Sequence, residues 1–168
     1  MKVLNLVLNR TEEIFVSLAM ALAVTLAFIE VILRQFGSSL GFTHELVNYL
    51  LIWVGLIGAS IGVREKTHLG VDILINAFEP KTQKIVVVAT FWLSALFTLT
   101  IAILGYQHVT DILAFGQVSP ELEVPLYIPR LLIPIAFGLM TIRFVQESIK
   151  VIKMPIDQFL KKEGVINE

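Results

Sequence analysis

No cysteine occurs among the 168 residues, which excludes disulfides, thiolate metal sites and cysteine nucleophiles without identifying a compartment. Charge is also scarce. Asp, Glu, Lys and Arg make up 16% of the chain, where a soluble domain carries about a quarter. Thirteen Lys and Arg against fourteen Asp and Glu leave a net charge of -1, so no bulk basic surface exists to bind nucleic acid. There is no zinc signature, phosphate-binding glycine loop, serine nucleophile motif or dinucleotide fingerprint, and neither an internal repeat nor a low-complexity tract. The three histidines, His44, His68 and His108, fall at or beyond the ends of the apolar stretches, which argues against haem held between helices. The sequence thus predicts no enzyme, no cofactor, no metal site and neither catalytic nor substrate-binding residues of its own.

What is present in quantity is apolar. Hydrophobic residues make up 56% of the chain, and the mean hydropathy is +0.81. Four stretches, 14–33, 46–63, 85–104 and 124–145, each approach the roughly 20 residues needed to cross about 30 Å of hydrocarbon. They predict an all-α integral membrane protein with four transmembrane helices in a single membrane domain, 1–168, ending in a polar tail, 146–168. The fourth stretch contains Arg130 and Arg143, whose long side chains must reach toward the headgroups. The first follows Lys2 and Arg10 and contains Ala19, Ala21 and Ala23, as a signal peptide would. Its apolar core is too long for one, so it reads as an uncleaved anchor.

Eleven of the thirteen basic residues lie in the N-terminus, the loop after the second stretch, or the segment from Arg143 onward. The positive-inside rule then makes both termini and that middle loop cytoplasmic, a parity that four spans satisfy. Within the loop, Glu65, His68, Asp72, Asn76 and Glu79 share one narrow helical stripe, with apolar residues around the rest. This predicts an amphipathic cytoplasmic segment between helices 2 and 3 that lies in the membrane surface or packs on the bundle, ending at Pro80. The outer loop, 105–129, has no Lys or Arg but holds Asp111, Glu121 and Glu123. The third helix is expected to continue through it to about Phe115, before Ser119 and Pro120 break it.

Two features inside the spans stand out. Glu30 is the one carboxylate within a clear span and lies one turn before Arg34, at the depth of Arg130. It reads as a structural ion pair, either across to Arg130 or at i,i+4 to Arg34; a coupling site for protons or ions is the functional alternative. In the second span Gly55, Gly58, Ala59 and Gly62 occupy one arc, with Trp53 facing away from it. Small side chains permit close helix approach where lipid supplies no hydrophobic drive, so this face is expected to meet another helix.

The stretch 45–74, ELVNYLLIWVGLIGASIGVREKTHLGVDIL, resembles the small membrane subunit of tripartite ATP-independent periplasmic (TRAP) transporters. The points of likeness are an acidic residue opening the second span, its Trp53 and glycine-rich core, and Arg64, Glu65, Lys66, His68 and Asp72 after it. Ser119 with Pro120, and the break at Ile133 and Pro134, are similar too. The resemblance implies a multi-pass protein of the bacterial inner membrane, paired with a much larger membrane subunit that moves solute with sodium ions. It further implies delivery by a periplasmic solute-binding protein of an organic acid, with a sialic acid preferred over a C4-dicarboxylate. The small subunit would brace the scaffold within the lipid bilayer. Trp53, Gly55, Gly58, Ala59 and Gly62 become candidates for the subunit interface, and Arg64, Glu65, His68 and Asp72 for loop contacts with the large subunit. The acidic outer loop is a candidate dock for the binding protein.

Two other readings use the same chain. An autonomous four-helix proton-coupled antiporter would use Glu30, and a membrane anchor of a respiratory enzyme would hold haem or quinone. The polar end, 164–168, reads as a finished chain rather than a fusion junction.

Overall fold

The computed structural model describes residues 2–65 and 80–156. Its elements are α1 (Lys2–Gln35), α2 (Thr43–Glu65), α3 (Pro80–Phe115), the single turn α4 (Tyr127–Arg130) and α5 (Leu132–Lys153). No strand is present among the described residues beyond an isolated antiparallel bridge between Val118 and Pro125. Among the described residues four stretches have the length and apolarity to cross a membrane: Asn9–Gln35, Thr43–Val63, Lys81–Phe115 and Tyr127–Lys153. The chain is an all-α integral membrane protein. The amphipathic segment expected between α2 and α3 falls outside the described residues, as does most of the tail.

Local chemistry accounts for where the helices stop. Gly37 and Gly116 end α1 and α3 in the left-handed region, at φ 72° and 59°. In both, the glycine N–H reaches back three residues and the next N–H reaches back five, to Arg34 and Leu33 in one case and Leu113 and Ile112 in the other. This double closure satisfies carbonyls that a helix end otherwise leaves free, and a residue without Cβ adopts the required angle at no steric cost. The fourth span is interrupted because Pro134 has no N–H to give to the carbonyl four residues earlier, at Arg130. α4 therefore ends at Arg130 and α5 begins at Leu132, with the Leu131 N–H bonded to Tyr127 O at 2.9 Å.

Packing arranges the long helices in a row. α1 lies along α2, α2 against α5, and α5 along α3. Along α1 the buried positions are Glu12, Ala19, Ala23 and Glu30, a seven-four-seven spacing that keeps one face toward α2. Ala19 and Ala23 meet Leu50 there, and Phe15 tilts against Trp53 with centroids 6.1 Å apart. A second cluster joins Val63 of α2, Ala95 of α3, and Ala136, Met140 and Phe144 of α5. The Thr141 hydroxyl donates to Thr98 Oγ1 at 2.9 Å, linking α5 to α3 through a polar contact within the apolar seam.

Length and exposure fit a bilayer. α3 has 36 residues, about 54 Å at 1.5 Å per residue, so it overruns the hydrocarbon. Leu18 and Phe28 on α1, and Leu93, Leu96 and Phe97 on α3, are exposed on the outside of the row. In water such faces would aggregate, whereas in lipid they meet a matching solvent.

Candidate functional site

The end of the molecule that holds the start of α1 is built around Arg143. Its Nη2 bonds Glu12 Oε2 at 2.5 Å and Asn9 Oδ1 at 3.3 Å, and its Nη1 donates to Ser60 O. Both charged side chains are about nine-tenths buried. One guanidinium from α5 therefore ties α1 and α2 together through donors set in a rigid fork. Lys84, near the start of α3, donates from Nζ to Ile152 O at 2.9 Å and Met154 O at 2.8 Å. It satisfies terminal carbonyls of α5, where the helix dipole also favours a cation.

At the opposite end, Glu45 and Glu121 exchange contacts. Glu45 Oε2 accepts from the backbone N–H of Glu121 at 2.9 Å and of Leu122 at 3.2 Å. Glu121 Oε2 in turn accepts from the Glu45 N–H at 3.2 Å, at the amino end of α2. Tyr49 donates to Glu45 Oε1 at 2.6 Å, and buried Ser119 Oγ accepts from the Leu122 N–H. The segment after α3 is thereby folded back over α2. Trp53 adds a second tie, donating from Nε1 to Pro129 O at 2.9 Å in α4.

The residues singled out from sequence divide among several places. Glu30 has the i,i+4 partner: Arg34 Nε is 3.0 Å from its Oε1. The same carboxylate accepts from Ser39 Oγ at 2.6 Å and the Leu40 N–H at 3.1 Å, closing the connection from α1 to α2. Arg130 stands elsewhere, with Nη1 2.5 Å from His108 Nε2 on α3. A guanidinium only donates, so the His108 ring nitrogen is the acceptor of this contact. Gly55 and Ala59 are exposed and Gly58 half-buried. A Cβ added at Gly55 or Gly58 would meet nothing within 4 Å, so this arc is open toward the outside of the chain. Trp53, by contrast, is half-buried and tied to α1 and α4 within the chain. Arg64 and Glu65 are the last residues of α2, while His68 and Asp72 lie outside the described residues.

Two structural features were missed from sequence, the first a pair of residues. Glu12 precedes the apolar run assigned to the first span, and Arg143 was placed among residues reaching for headgroups. The signal for Glu12 is its spacing with Ala19, Ala23 and Glu30 on one face of α1, while nothing along the chain marks Arg143 as its partner. Gly105 is the other. A Cβ there would lie 3.2 Å from Ile133 Cγ2 and 3.5 Å from Pro134 Cδ, so α3 packs tightly against α5 at the proline break. A lone glycine at the edge of a span carried no sign of that neighbour. No group of three or more His, Asp or Glu able to hold a metal occurs among the described residues.

Comparison with known proteins gives this architecture a family. The profile of the DctQ component of tripartite ATP-independent periplasmic transporters matches residues 15–154. A C4-dicarboxylate TRAP transporter small permease protein of Rhodobacter capsulatus is 36% identical over 110 residues, 66% of this chain and 48% of that one. An isethionate TRAP transporter permease protein of Oleidesulfovibrio alaskensis is 27% identical over 122 residues, 71% of this chain and 19% of that one. A sialic acid TRAP transporter permease protein of Haemophilus influenzae is 36% identical over 56 residues, 33% of this chain and 9% of that one. The matched region thus spans about half of the first of these relatives and a small part of the other two. The chain belongs to the DctQ component family of tripartite ATP-independent periplasmic transporters.

Proposed function

We propose that the chain is the small scaffold subunit of a secondary TRAP transporter in the bacterial inner membrane, with both termini and the loop between α2 and α3 in the cytoplasm. In this reading it braces a large membrane subunit. That partner imports an organic acid of the sialic acid or C4-dicarboxylate class with sodium ions, after delivery by a periplasmic solute-binding protein.

The observation that carries the proposal is how the polar groups are engaged. Arg143 with Glu12, Glu45 with the outer segment, and Glu30 with the first connection each bind helix to helix or close a turn. Charges placed this way stiffen a frame, while the arc at Gly55 and Gly58 stays open for a helix of another chain. The antiporter reading rests on Glu30, whose carboxylate is held by Arg34, Ser39 and Leu40.

The relatives support both halves of the proposal. Their names carry three different solutes, as expected if this module serves a frame and the solute is chosen elsewhere. In two of them the matched segment is a small fraction of a longer permease protein, which supports a larger membrane partner for this chain. The test is affinity purification from native membranes followed by reconstitution. A much larger hydrophobic protein should co-elute, and vesicles supplied with the solute-binding protein should take up solute only when both membrane subunits are present. Uptake by vesicles holding this chain alone would overturn the scaffold role.

A further inference from the structure

A cavity of about 160 Å³ opens between α1 and α2 at the end of the row that holds the Glu45 contact. Ala27, Val31 and Val47 form its apolar side, and Glu30, Arg34, Thr43 and His44 line the rest. The volume is several times the roughly 30 Å³ share of one liquid water, room for a small polar group with the first methylenes of a chain. On its outer side the cavity runs into a lipid-facing surface, because Val31 and neighbouring Phe28 and Ile32 are exposed on α1.

The polar lining has unused capacity. Thr43 is 1% exposed, and its hydroxyl has no hydrogen-bond partner. A buried hydroxyl without a partner is unfavourable by about 1–3 kcal/mol, a deficit that a bound acceptor removes. Arg34 gives Nε to Glu30, and the rest of its guanidinium offers four more N–H groups on a side chain that is 64% exposed. Glu30 Oε2 accepts from the Leu40 N–H, and a carboxylate oxygen has room for a second donor.

A cation, an anion and a spare hydroxyl therefore share one small cavity whose apolar side faces hydrocarbon. We propose that this cavity binds the headgroup of one zwitterionic glycerophospholipid, phosphatidylethanolamine. Its phosphodiester takes Arg34 and Thr43, its ammonium reaches Glu30, and its acyl chain leaves past Val31. The inference needs only that the helices span a bilayer, and it stands apart from the transporter role.

The test uses the full chain in mild detergent, with retained lipid counted by native mass spectrometry. The wild type should hold one phosphatidylethanolamine and release phosphatidylglycerol, which lacks the ammonium, more readily. Val31→Phe fills the mouth and should lower retention by about tenfold or more through steric exclusion; Arg34→Gln removes the phosphodiester partner and should do so by about as much, the effect of losing a charge-assisted hydrogen bond. Leu96→Phe, an equivalent change on the lipid-facing side of α3, should leave it unchanged. An excess of inorganic phosphate should not displace the lipid. Equal retention by Val31→Phe and Leu96→Phe would overturn the site, and equal retention of phosphatidylglycerol would overturn the zwitterion assignment. Displacement by phosphate would show a free-anion site instead. Should Val31→Phe lose its monodisperse gel-filtration peak, Arg34→Gln on the exposed rim decides alone.

Discussion

Glu45 and Glu121, 76 positions apart, each place a carboxylate on the other's backbone N–H. Two like charges are brought together because each finds a peptide donor. At the amino end of α2 those donors are helix N–H groups with no partner inside the helix. Glu45→Ala should free the Glu121 amide and leave the Leu122 amide only Ser119 Oγ, raising the Glu121 hydrogen-exchange rate on the order of tenfold while the core of α3 stays protected. Mass-resolved exchange over residues 117–126 measures it.

The acidic outer loop divides on the same ground. Glu121 is committed to α2, whereas Asp111 and Glu123 are exposed. Asp111→Lys with Glu123→Lys should leave thermal unfolding unchanged and alter only the salt dependence of uptake, if the loop meets a charged partner. Glu121→Lys should loosen the loop itself, read by the same exchange experiment. Unchanged uptake at low and high salt for the double reversal would remove docking through these acids.

Arg143 and Glu12 are the buried pair, and removing one partner strands the other. Glu12→Leu alone should lower stability by about 3 kcal/mol, seen as thermal unfolding of the purified protein in detergent. Glu12→Leu combined with Arg143→Met should recover most of the loss, since neither charge is then left unpaired. Additive losses would show that Arg143 acts mainly through Ser60 and Asn9.

The glycines separate internal from external packing. Gly105→Leu has Ile133 and Pro134 in its way and should destabilise the isolated chain by about 1–3 kcal/mol. A Cβ at Gly58 meets nothing within 4 Å in the chain, so Gly58→Leu should leave the melting nearly unmoved, while co-purification with the large subunit should fall. Loss of stability from Gly58→Leu in the isolated chain would contradict the open face.

Trp53→Phe keeps the contact with Phe15 but leaves Pro129 O without its indole donor, and should cost about 1 kcal/mol in the same melt.

Sequence alone determined what depends on neighbours along the chain. Apolar runs of sufficient length mark the four spans, and the end of α3 at Phe115 and the interruption near Pro134 follow from residues within a few positions. These are backbone and solvation effects, whose period and breakers are written locally. Only the tertiary structure decided that Arg130 meets His108, that Arg143 reaches Glu12 across 131 positions, and that a neighbouring helix within the chain presses upon Gly105. In lipid every outward face is equally apolar, so hydrophobic pattern cannot say which helix stands beside which. That choice falls to the few polar and small side chains whose partners appear only once the row is assembled.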